Sequence, residues 1–153
     1  MEISQARCDA VLLAAEAKAM EIGVPMNIAI LDSGANLKAF LRMDGALIGS
    51  IDIALRKAKT SAIFGMSSEA VGEFCKPGGT SPGLDQTNGG LVVFAGGLPL
   101  RDAEGRLLGA VGVSGGAVTQ DLEVAQAAAA AQPAPQEGGL QWEVAAAGQP
   151  QPA

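Results

Sequence analysis

The chain has 153 residues, 48% hydrophobic but only 3% aromatic, with 21 glycines and no tyrosine, enough for one domain whose core is built from small aliphatic side chains. A net charge of −6 argues against a nucleic-acid partner, which needs a basic face, and no apolar run approaches the ~20 residues that cross a bilayer. The complete lack of histidine removes the commonest general base, metal ligand and haem ligand together.

Along the chain, Glu2, Arg7 and Asp9 interrupt the first ten residues, so no secretory leader is expected there. Ser4 is placed to cap a first helix, with Cys8, Val11, Leu12, Ala15, Ala19 and Ile22 at helical spacing and Gly23 and Pro25 as its stop. Met26 to Leu31 and Leu37 to Met43 read as two strands of a hairpin around Asp32-Ser33-Gly34-Ala35-Asn36. A second helix opens at Ser50 and closes before Gly65, and Ser67 caps a short third from Ser68 to Phe74.

Lys76 to Gly90, KPGGTSPGLDQTNGG, has no periodicity and is too long for a plain connector, which points to a functional loop. Three further strands are expected at Leu91 to Phe94, Leu98 to Arg101 and Arg106 to Val113, then a last helix from Val118 to Ala131. The order α-β-β-α-(α)-β-β-β-α, with hairpin-length links, predicts an α/β (α+β) domain: a five-stranded antiparallel sheet with helices packed on it. It should occupy residues 1–131. From Gln132 the composition turns to Pro, Gln, Gly and Ala, a low-complexity tail over 132–153 in which Leu140 to Val144 alternates like a strand. The two cysteines, Cys8 and Cys75, make no disulfide framework, so a reducing, cytoplasmic setting is expected.

Several groups could carry chemistry. Gly112-Val113-Ser114-Gly115-Gly116 has the spacing of a nucleophile elbow between strand and helix, yet no histidine exists to activate Ser114. The backbone N–H groups at Ser114 and Gly115 could instead receive an anionic group. Arg56, Lys57 and Lys59 cluster on the second helix, and Lys57 shares a face with Ile53, Thr60, Ser61 and Phe64, more apolar than a solvated face requires. Arg42 and Asp44 leave the second strand together, either as a surface ion pair or at a pocket mouth. Thr87 and Asn88 close the long loop as turn residues or as neutral hydrogen-bonding groups. No metal-ligand spacing of Cys, Asp or Glu is present.

The segments AILDSGANLKAFLRMDGA, SIDIALRKAKTSAIFGM, PGG with TNGG, and GGLPLRDAEGRLLGAVGVSGGAVTQDLEVA together resemble the GlcG/HbpS/PduO-C-terminal family, collinearly over residues 3 to 131. The resemblance implies a profilin-like sheet with flanking helices, assembly into closed homo-oligomers, and for some members an association with haem or corrinoid metabolism. Ligation of haem through histidine cannot carry over to a chain without one, and no haem, corrinoid or metal cofactor is expected.

The function expected is a homo-oligomeric small-molecule-binding protein for an anionic or carboxylated organic ligand. Its site would lie between the second helix and the long loop and use Arg42, Lys57, Thr60, Thr87, Asn88, Ser114 and Gly115. The alternative is a cofactor-independent isomerase or lyase in the same pocket, with Asp44 or Asp52 as base and a cation at the developing oxyanion.

Overall fold

The structure is a computed structural model that describes residues 2–133; the strand-like Leu140 to Val144 and most of the expected tail lie outside the described residues. Helix α1 (Gln5–Ile22) begins where the Ser4 hydroxyl accepts the Arg7 N–H at 3.1 Å and ends at Gly23, whose φ of 72° turns its N–H back to the last carbonyls. Strands β1 (Asn27–Asp32) and β2 (Leu37–Arg42) form the expected hairpin. Its turn is fixed by the Asp32 carboxylate, which accepts N–H bonds from Gly34 at 2.9 Å and Asn36 at 2.8 Å. Helix α2 (Gly49–Phe64) follows, then α3 (Ser68–Cys75), capped by the Ser67 hydroxyl. Strands β3 (Gly97–Arg101) and β4 (Leu107–Ser114) and helix α4 (Val118–Ala130) complete the described chain.

The sheet is antiparallel with order β2-β1-β4-β3 and has four strands rather than five. The missing one is Leu91 to Phe94. Its carbonyls are taken by side chains instead of a neighbouring strand: the Thr60 hydroxyl reaches Val92 O at 2.9 Å and the Ser68 hydroxyl reaches Phe94 O at 2.7 Å. Gly72 of α3 sits so close that a Cβ there would lie 2.2 Å from Val93 O. Held against α2 and α3 in this way, an apolar run with strand-like composition becomes a strap, and the observed order is α-β-β-α-α-β-β-α.

The two faces of the sheet are packed differently. Against one, α1 and α4 bury Val11, Ala15, Ala19, Val124 and Ala128 over Ile28, Ile30, Val111 and Val113. Against the other, α2 lays Ala54 and Ala58 on Ala29 and Leu31, and it comes close because β4 offers no side chain at Gly112. No helix among the described residues is long and apolar enough to cross a membrane.

Candidate functional site

The residues singled out in the sequence are distributed over three places around α2 and the edge strand β2. Lys57 is completely enclosed. Its ammonium donates to Asp121 Oδ2 at 2.8 Å and to Val113 O at 2.9 Å, and the ring of Phe94 covers it with its centroid 5.0 Å away. Burial lowers the Lys57 pKa, while the hydrogen bond and charge of Asp121 oppose that shift. The other oxygen of Asp121 accepts the Gly116 N–H at 2.9 Å, so one carboxylate ties α2 to the turn that launches α4. Glycine at position 96 is required by this arrangement, since a Cβ there would fall 2.7 Å from Lys57 Nζ. Phe94 and Asp121 were missed as a unit with Lys57 because nothing local links positions so far apart in sequence.

Thr60 is also buried, its hydroxyl serving Val92 O and Arg56 O. Ser114 is buried at the end of β4, where it pairs across the sheet with Asn27, which in turn pairs with Arg42. Asn27 donates from Nδ2 to Leu47 O at 2.9 Å just ahead of α2, and its Oδ1 is buried with no partner. A lone asparagine in the apolar run Met26 to Leu31 is the signal that could have found it. Gly115 allows the chain past β1: a Cβ on it would lie 2.6 Å from Pro25 O.

The second place is a groove of about 380 Å³ between the β1–β2 turn, α2 and the long loop, lined by Leu31, Ala35, Leu37, Asp52, Leu55, Arg56, Lys59 and Gly89. Arg56 pins the loop, donating from one nitrogen to the carbonyls of Gly89 and Gly90, each at 2.8 Å, and from Nε to Asp52 at 2.8 Å. Lys59 donates to Asn88 O and has no carboxylate partner among the described residues. Thr87 and Asn88 are exposed beside it, and their side chains brace the loop: the Thr87 hydroxyl bonds Leu84 O at 2.6 Å and Asn88 Nδ2 bonds the Thr87 hydroxyl at 3.0 Å. Asp52 is exposed and engaged by Arg56. Of the predicted set, Asp52 lines this groove and Thr87 and Asn88 flank it.

The third place is a groove of about 360 Å³ beside α1 and the end of β2, lined by Glu16, Met20, Leu41, Arg42, Met43 and Asp44. Arg42 and Asp44 line this groove without an ion pair between them, and it is separate from that of Lys59, so they do not stand at the mouth of a pocket between α2 and the long loop. Among the described residues no cluster of three or more His, Cys, Asp or Glu side chains can hold a metal ion.

Comparison with known proteins gives this geometry a family. The model of the "Haem degrading protein HbpS-like" family matches residues 3–130. The chain belongs to the HbpS-like family. It is 42% identical over 116 residues to an uncharacterised 15.0 kDa protein from the dhaT–dhaS intergenic region of Citrobacter freundii, covering 75% of this chain and 81% of that one. It is 37% identical over 119 residues to the corrinoid adenosyltransferase PduO of Citrobacter freundii, covering 77% of this chain but only 35% of the enzyme; the HbpS-like chain therefore spans about a third of PduO. The crystal structure of a PduOC–heme complex superposes with a TM-score of 0.80 at 29% identity, covering 87% of this chain and 99% of that one.

These relatives overturn the expectation that haem and corrinoids are excluded. That expectation rested on the missing histidine alone, whereas thioethers and thiolates also ligate haem iron. Cys8 is buried in the core and burial pushes its thiol pKa up, and the Cys75 thiol is directed to Gly72 O at 3.7 Å. Met20 and Met43, by contrast, line the groove beside α1 together with Arg42 and the carboxylates of Glu16 and Asp44.

Proposed function

We propose that this HbpS-like chain is a homo-oligomeric small-molecule-binding protein whose α2 groove receives the carboxylate end of an organic ligand. The observation that carries the reading is Lys59. It lies on a groove walled by Leu31, Ala35, Leu37 and Leu55, and its charge is met only by a backbone carbonyl among the described residues. Apolar walls with a few placed polar groups are what small-molecule sites use, and an unneutralised ammonium there favours an anion. Arg56, already bonded to Asp52 and two carbonyls, holds the loop side of the groove in place. Haem and corrinoids belong among the ligands to be tried, because the relatives named above include a heme complex and a corrinoid enzyme.

The test is calorimetric titration with a panel of small mono- and dicarboxylates. A carboxylate that binds should lose about 1.5–3 kcal/mol of affinity in Lys59→Ala, the worth of a charged hydrogen bond. Binding that is indifferent to Lys59, or no binding across the panel, refutes the reading. Assembly is supported by Leu13, Leu47 and Ile48, which are 72%, 62% and 77% exposed. Light scattering should give at least a dimer, and a monomer of 15.3 kDa contradicts it.

A further inference from the structure

We infer that Asn88 is a self-modifying residue, and that its conversion to aspartyl and isoaspartyl forms switches off the anion site at Lys59. This rests on the reading of the α2 groove as an anion site and adds its regulation. Asparagine occurs at positions 27, 36 and 88, and only Asn88 is followed by glycine. A glycine puts no side chain between its own nitrogen and the amide carbon of the preceding asparagine. Asn88 and Gly89 are both exposed at the end of the long loop. Among the described residues the Asn88 side chain bonds only the neighbouring Thr87 hydroxyl, and the Gly89 N–H has no acceptor. Asn88 also stands in the left-handed region, with φ of 53°. The other two asparagines are held: Asn27 is buried in β1, and Asn36 is tied to both carboxylate oxygens of Asp32.

Lys59 is what distinguishes this site from any other Asn-Gly pair. The nucleophile comes from the peptide that joins Asn88 to Gly89, and the oxygen of that peptide, Asn88 O, accepts the Lys59 ammonium. Loss of the Gly89 proton leaves negative charge shared between that nitrogen and that oxygen. An ammonium on the oxygen stabilises this anion, as a donor in an oxyanion hole does. The Gly89 nitrogen attacks Asn88 Cγ, Nδ2 gains a proton and leaves as ammonia, and a succinimide ring closes. Water then opens the ring. Addition at Cγ breaks the bond from Cγ to the Gly89 nitrogen and gives aspartate. Addition at the main-chain carbon breaks its bond to the same nitrogen, so the chain runs through Cγ and the old main-chain carbonyl becomes a free carboxylate. Water is consumed and ammonia released, with no oxidant or other reactant. In the isoaspartyl product the oxygen that Lys59 already holds belongs to a carboxylate. The main chain also gains an atom just before Gly89 and Gly90, whose carbonyls hold Arg56. The charge offered to an anionic ligand is thereby neutralised from within the loop.

The experiment is incubation of the full chain in mildly alkaline buffer. Peptide mass spectrometry reads the replacement of NH2 by OH, and enzymatic methylation of isoaspartate reads the rerouted chain. Asn88 should convert before Asn27 and Asn36, mostly to isoaspartate, and faster as pH rises. Lys59→Ala should slow the conversion roughly three- to tenfold, less than the loss of an enclosed oxyanion donor because Lys59 is partly open to water. In urea the two chains should react alike. Asn88→Asp should weaken binding of small carboxylates about fivefold, the worth of one exposed ion pair. Wild-type affinity should fall over the incubation, while that of Asn88→Gly, which keeps the left-handed turn, should not. The inference is overturned if Asn88 converts no faster than the other asparagines, if Lys59→Ala converts as fast as the wild type, or if converted protein binds small carboxylates as tightly as fresh protein. The mass readout needs no ligand, so a failure of the carboxylate reading shows separately, as fresh protein that binds no small acid.

Discussion

The two faces of the sheet solve the same packing problem with opposite materials. On the α1/α4 face, branched side chains such as Ile28, Ile30, Val111 and Val113 fill the space between helix and strand, and no charge is enclosed there apart from the partly bonded guanidinium of Arg7. On the α2 face, the helix backbone comes down almost onto the sheet, over Gly112 of β4 and Gly97 of β3, and a complete ion pair is buried at its edge. The first arrangement tolerates small changes in volume because side chains can shift. The second leaves nothing that can move except backbone, so it holds α2 and its outward-facing groove residues in fixed positions.

That contrast can be broken most severely at the buried pair. Lys57→Ala should cost about 3–5 kcal/mol of stability in chemical denaturation, because it strands the Asp121 carboxylate without its partner. The paired replacement Lys57→Met with Asp121→Leu should recover much of that loss; a failure to recover would mean that the Gly116 bond to Asp121 carries the larger share. Gly112→Ala comes next. Its new Cβ would lie 2.0 Å from Ala54 O and 2.5 Å from Ala58 N, so about 3 kcal/mol is expected, at the upper end for overpacking. On the opposite face Ile30→Val removes one methylene from an adaptable core and should cost only about 0.5–1.5 kcal/mol by the same measurement. Should Ile30→Val equal Gly112→Ala, the two faces do not differ as described.

The smallest effect concerns pH. Backbone N–H bonds from Asn36 and Gly34 hold the Asp32 carboxyl below its usual range. A carboxyl depressed in the folded state stabilises above its ordinary pKa of about 4 and loses that contribution as pH falls through the depressed value. Asp32→Asn should therefore lower stability slightly at neutral pH and flatten the acid limb below about pH 4, so that the two profiles converge in acid. An unaltered acid limb would show that the hairpin turn does not sense its charge.

What the sequence makes legible follows the range of the interactions. The bounds of α1 can be read because Ser4 and Gly23 act within a turn of themselves, and the hairpin because Asp32 and Asn36 bond across four positions. Leu91 to Phe94 reads as a strand because composition reports apolar burial but not the partner: the groups that claim its carbonyls come from Thr60 and Ser68, which lie in two other elements. The same limit governs the site. Lys57 stands out on an apolar helical face, yet its partner Asp121 lies beyond the whole β3–β4 hairpin and on its own looks like an ordinary helix-start acid. Lys59, two residues on, belongs to the same visible basic cluster, and only the position of the long loop separates the enclosed lysine from the one on a groove.

On the proposed function, a carboxylated ligand enters the groove that the rigid α2 face holds in place. Amide chemical-shift mapping during titration of the isotope-labelled chain with small dicarboxylates tests it most directly. The perturbed amides should cluster at Leu31 to Leu37, Asp52 to Lys59 and Thr87 to Gly90, and disappear in Lys59→Ala. Perturbations confined to α1 and α4, or spread evenly over the surface, would rule out the α2 groove as the binding site.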